Sequence, residues 1–84
     1  MTYSLKIKES AAEEIRALPK NDRERVVAAI DTLRDDPHQG TQLKGSGTGL
    51  RRIRVGSYRI IFEVRKDQLI VLVLRVGHRK DVYR

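Results

Sequence analysis

The chain has 84 residues and no cysteine, which leaves room for one small core and excludes a disulfide framework or thiolate metal sites. Its longest apolar run, residues 69–74, falls far short of the roughly 20 residues of a membrane helix, and the charged segment MTYSLKIKES has no apolar run long enough for a signal peptide. The net charge of +7 belongs entirely to residues 50–84, which hold ten Lys and Arg against three acids, while residues 1–49 hold eight of each and cancel. Such asymmetry describes a partner rather than a fold: concentrated positive potential attracts polyanions, nucleic acid first among them. The expectation is a single soluble cytoplasmic domain over residues 1–84 with no membrane partner.

Tyr3, Leu5 and Ile7 alternate with Ser4, Lys6 and Lys8, the period of a half-buried strand. Ser10 and Glu13 have the spacing of a capping box, and Ala12, Ile15 and Leu18 follow at helical spacing until Pro19, which disfavours helical geometry at the residue before it. Asn21 with Glu24 caps a second helix, whose Val26, Ala29, Ile30 and Leu33 lie along one face and which Asp35, Asp36 and Pro37 close. The two helices should form a hairpin. Gly40, Gly45, Gly47 and Gly49 then mark a surface loop. It is no phosphate cradle, because no strand feeds GSGTG and no Lys-Ser/Thr follows it at P-loop spacing.

Three strands follow, over 50–55, 58–65 and 69–76, separated by Gly56-Ser57 and by Lys66-Asp67-Gln68. A Gly-Ser link suits a type II′ hairpin turn, with Gly at the position of positive φ. The last strand is apolar on both parities and belongs inside the sheet. The register of the last hairpin stays open, because a two- or three-residue turn exchanges the parity that meets the helices. The predicted fold is α+β, in the order β-α-α-β-β-β, with the helix hairpin packed on one face of a small, mainly antiparallel four-stranded sheet.

With Gly56-Ser57 as the turn, Val55 pairs with Tyr58, Arg54 with Arg59, Ile53 with Ile60 and Arg52 with Ile61. Alternation then puts Ile53, Val55, Tyr58, Ile60 and Phe62 on one face and Arg52, Arg54 and Arg59 on the other. Like charges directly across a strand pair destabilise by up to about 1 kcal/mol, a conflict that a bound anion resolves. Guanidinium forks suit phosphate because each donates two parallel hydrogen bonds, and several around one phosphodiester would neutralise charge developing at phosphorus.

The tail GHRKDVYR adds other groups. Imidazole, here His78, is the side chain suited to proton transfer near neutrality. Arg79 and Lys80 extend the positive field, and Tyr83 can stack on a base. Lys44, Arg51 and Arg84 are, with Lys80, further candidates for RNA contacts, and His38 reads as structural or solvated. Two histidines without cysteine make no convincing zinc set, and neither a G-x-S-x-G elbow nor a dinucleotide fingerprint occurs. Neither a metal nor a cofactor is expected.

The segments RRIRVGSYRIIFEV and LIVLVLRVGHRKDVYR resemble the RelE family of toxins from bacterial and archaeal toxin–antitoxin pairs, with RIRVG-x-YRI and VGHRK-to-VY the most specific parts. The likeness spans nearly the whole chain. It implies a ribosome-dependent endoribonuclease that cuts mRNA in the A site, monomeric alone and held inactive in a higher-order complex by a RelB-like antitoxin that wraps it. The alternatives are a ParE-like gyrase inhibitor, from the wider superfamily that shares the fold, and a non-catalytic block of the ribosome.

Carried over by resemblance, the family's basic pair falls on Arg52 and Arg54, its transition-state arginine on Arg59, its tail arginine on Arg79 and its terminal tyrosine on Tyr83. Many relatives have lysines at the first two positions. A guanidinium stays protonated at neutral pH and makes no general base. His78 is therefore the expected proton shuttle, with Glu63 in reserve.

Overall fold

A computed structural model describes residues 2–43 and 49–78. The elements run β1 (Ser4–Ile7), α1 (Glu9–Arg16), α2 (Lys20–Thr32), β2 (Thr41–Gln42), β3 (Leu50–Val55), β4 (Tyr58–Arg65) and β5 (Ile70–His78). They form one sheet in the order β1-β5-β4-β3-β2, antiparallel except where β1 runs parallel to β5. Among the described residues the sheet thus has five strands rather than the expected four. The addition is β2, two residues of the presumed loop that pair Thr41 with Arg52 and Gln42 with Arg51. No apolar alternation marks so short an edge strand, and both its residues are exposed.

Both helices begin earlier than the capping boxes suggest. The Lys8 N–H donates to the Val73 carbonyl at 2.9 Å, and the Lys8 carbonyl accepts from Ala12, so α1 starts where strand pairing ends. Pro19 similarly caps α2, its carbonyl accepting from Arg23 N–H at 2.8 Å. Ser10 and Asn21 consequently sit inside the first turns, and neither cap is made by a side chain.

Ala11 and Ile15 from α1, Val26 and Ile30 from α2 and Leu33 at its C-cap meet Ile53, Ile60, Phe62, Val64, Val71, Val73 and Val76 from one face of the sheet. Ala11 takes the fully buried place expected of Ala12. The core spacing along β5 changes between Val73 and Val76, and the pairing shows why: Ile61 opposes Arg75 while Phe62 opposes Val73, leaving Leu74 as the extra residue of a β-bulge. In an unbroken register Arg75 would oppose Ile60 and point into the core, where an unpaired charge is costly. The bulge replaces it with Val76. The turn before β5 is also longer than expected, spanning residues 66–69 with Leu69 at φ 55°. No helix among the described residues is long and apolar enough to cross a membrane.

Gly40, just before β2, has φ 76°, and a Cβ there would lie 1.9 Å from the Arg52 carbonyl oxygen and 2.7 Å from Ile53 Cγ2. Both the backbone conformation and the close approach require glycine. Gly40→Ala should cost about 3 kcal/mol, a loss of at least 10 °C in Tm for a domain of about this size. Thermal unfolding of the purified variant checks it, and an unchanged Tm would contradict the packing of this segment on β3.

Candidate nucleic-acid interface

The β3–β4 hairpin turns at Gly56-Ser57 with Gly56 at φ 59°, the left-handed region a II′ turn demands. All four expected cross-strand pairs form, including Arg54 opposite Arg59. On the face turned away from the helices the register produces three rows. Arg54, Arg59 and Gly77 make the first; Arg52, Ile61 and Arg75 the second; Leu50, Glu63 and Leu72 the third. Arg52 is diagonal to Arg59, a separation of about 7–8 Å. Four arginines thus start from two adjacent rows of this face, and three of them, Arg52, Arg54 and Arg59, lie on the β3–β4 hairpin beside Gly77.

Their environments differ. Arg54 is exposed, whereas Arg52 and Arg59 are half-buried and Arg59 Nε is shielded from solvent. Ile61 is buried although it faces away from the helices, and it lies in register between Arg52 and Arg75. Arginine stems are suited to covering such an apolar residue while their heads stay in water.

Arg51 does not join this patch. Its odd parity turns it toward the other face, where Nε donates to the Gln39 carbonyl at 3.1 Å and Nη2 to those of His38 and Gly40 at 2.8 and 3.2 Å. A charged fork bound to three carbonyls is a clamp on the 38–40 segment, and Arg51, expected as an RNA contact, lies on the face opposite the three arginines. His78 is displaced as well. The bulge puts it opposite Tyr58, on the helix side, where the two rings meet edge to face with centroids 6.1 Å apart and planes at 78°. Without the extra residue, Val76 would oppose Arg59 and His78 would share its parity. The imidazole is therefore not brought to the three arginines, and the proton-shuttle expectation loses its geometric basis.

Glu63 does share the parity of Arg59, but four residues along β4 separate them by about 13 Å. It is ion-paired with Arg65. That leaves it poorly placed as a reserve base. Lys44, Arg79, Lys80, Tyr83 and Arg84 lie outside the described residues. Sequence reasoning missed Gly77 as the neighbour of Arg59; the signal available was Arg75 standing at core parity, which a bulge must relieve.

Tyr58 anchors the helix side of the hairpin. Its hydroxyl donates to Asp22 Oδ2 at 3.1 Å, tying the first turn of α2 to β4. That bond to a carboxylate holds the phenol above its usual range, with burial and the Asp22 charge acting in the same direction.

Among known proteins, the family model described as ParE toxin of type II toxin-antitoxin system, parDE, matches residues 5–83. The chain is 29% identical to Toxin RelG of Mycobacterium tuberculosis across 100% of this chain and 99% of that protein. It is 30% identical to a RelE-like toxin protein of Escherichia coli across 99% of this chain and 92% of that protein. Its structure is similar to that of a free E. coli RelE mutant, with a TM-score of 0.84 at 26% identity over 99% of this chain and 90% of that one. The archaeal RelE–RelB complex of Pyrococcus horikoshii OT3 gives a TM-score of 0.82 at 28% identity over 98% and 100%.

Two measurements follow from this geometry. Arg54→Gln should raise stability by up to about 1 kcal/mol at low ionic strength, a gain that salt erodes, because it removes a like charge opposite Arg59. Chemical denaturation at low and high salt checks this, and a loss of stability would show the pair to be no liability. The second concerns Tyr58: a folded-state pKa raised above the unfolded value means stability fully present below about pH 10 and lost as pH rises through the folded value. The Tm advantage of wild type over Tyr58→Phe should thus be constant near neutrality and shrink above about pH 10. A difference independent of pH would exclude the Asp22 bond as its source.

Proposed function

The chain belongs to the RelE family of type II toxin–antitoxin toxins, within the RelE/ParE superfamily, and on that premise we propose that it is a ribosome-dependent endoribonuclease cutting mRNA in the A site. The single observation that carries the reading is the arginine patch: Arg54 opposite Arg59, with Arg52 on the diagonal and Gly77 beside them. This arrangement suits a phosphodiester, whose charge it would neutralise from several directions.

In the proposed reaction an RNA 2′-oxygen attacks its own 3′-phosphate, leaving a 2′,3′-cyclic phosphate and a free 5′-hydroxyl. Arg52 and Arg54 position the backbone, and Arg59 stabilises the charge that builds at phosphorus. By resemblance, Arg79 assists the leaving oxygen and Tyr83 holds a base. No guanidinium serves as general base, and His78 is not given that role. An enzyme with so little proton-transfer apparatus depends on alignment of its substrate, which the ribosome would supply, since orientation alone can be worth several kcal/mol. Free RNA is then a poor substrate. A RelB-like antitoxin would hold the toxin inactive; RelE–RelB complexes from Pyrococcus horikoshii and E. coli give that partnership its precedent.

One observation favours a second reading. The matching family model carries the ParE name, so a gyrase inhibitor without nuclease chemistry is the competitor. Primer extension on mRNA from a defined translation mixture, beside a gyrase supercoiling assay, separates the two. Cuts within the A-site codon are expected; intact mRNA with blocked supercoiling would overturn the nuclease. Arg59→Ala should lower the cleavage rate on the order of 10²- to 10³-fold, the loss typical of removing one transition-state charge donor. Arg59→Lys should recover little, because a point charge does not reproduce the fork.

A further inference from the structure

β5 loses its parallel partner after Val73. The last residue of β1, Ile7, is paired with Val73, and Lys8 makes the final ladder bond to the Val73 carbonyl. The bulge lies immediately beyond, and an extra residue in a strand disrupts the ladder just where no neighbour remains on that side. Backbone groups left over there need another acceptor. The acceptor is a side chain of α1: Glu14 Oε1 takes the Val76 N–H at 2.9 Å, and Glu14 Oε2 lies 3.4 Å from Arg75 Nη2. One carboxylate stands where a strand would otherwise continue, holding the backbone and the side chain of consecutive residues.

What it holds is the register of the arginine patch. Val76 is in the core, and the next residue, Gly77, is opposite Arg59. If β5 slipped by one residue, every side chain beyond Leu74 would change face and a β-branched valine would replace the glycine beside the guanidinium. We infer that Glu14 is a positioning residue for mRNA cleavage, acting through Val76 and Gly77 on the surroundings of Arg59. The inference rests on the nuclease reading. Its mode of action is the accepted hydrogen bond rather than the ion pair, because Glu14 and Arg75 are 30% and 42% exposed and a pair so hydrated contributes little.

The test compares Glu14→Ala and Glu14→Gln with wild type in ribosome-dependent cleavage, with hydrogen exchange at the Val76 amide as a readout independent of activity. Glu14→Ala should expose that amide and lower kcat by about ten- to a hundredfold, with KM changed by less than about twofold, as expected when reacting groups are slightly misplaced. Glutamine keeps the acceptor and loses the charge, so Glu14→Gln should restore Val76 protection and bring kcat to within about threefold of wild type. Cleavage by Glu14→Ala at the wild-type rate, or a Glu14→Gln variant as slow as Glu14→Ala, overturns the inference alone. Wild-type protein that leaves mRNA intact on the ribosome overturns the nuclease reading, and this inference with it.

Discussion

The pairing of β3 with β4 is the constraint on which the arginine patch depends, and a left-handed glycine at position 56 sets it. Strand side chains alternate strictly, so a slip of one residue would turn one strand over, sending either Arg52 and Arg54 or Arg59 into the core and Ile53 or Ile60 into water. Burial of the apolar set and exposure of the arginines therefore enforce the same pairing. The like-charge contact between Arg54 and Arg59 survives because the hydrophobic gain on the opposite face is larger than the repulsion, which is at most about 1 kcal/mol.

The two faces of the sheet have separate tasks. Toward the helices, Arg51 binds three carbonyls of the 38–40 segment and Tyr58 binds Asp22, so polar side chains at both ends of the hairpin fasten it to other parts of the chain. Away from the helices, Arg52, Arg54, Arg59 and Arg75 share two adjacent rows, and Glu63, one row beyond, is paired with Arg65. Positive potential is thereby concentrated at one end of the sheet, where a polyanion would be steered.

Much of this was legible in the sequence because it follows from local rules. Period-two alternation located β1, β3 and β4, the Gly-Ser turn gave the register, and parity separated the arginines from the core. Helix starts were misread because Lys8 and Pro19 stand at the N-caps without side-chain capping bonds, whereas Ser10 and Asn21, which prefer capping positions, lie two residues further on, inside the first turns. β2 has no composition of its own. The bulge escaped notice because a strand apolar on both parities conceals a change of phase; only Arg75, on the parity of Val71 and Val73, betrays it. That single inserted residue moved His78 from the arginine side to the Tyr58 side.

Chain order and spatial order disagree at β5. Among the described residues, the last strand in the chain lies between the first and the three-stranded remainder, and it supplies Val71, Val73 and Val76 to the centre of the core. Contacts so distant in sequence cannot form early. During synthesis, then, the nascent polypeptide stays without a closed interior until residues 70–78 have left the exit tunnel.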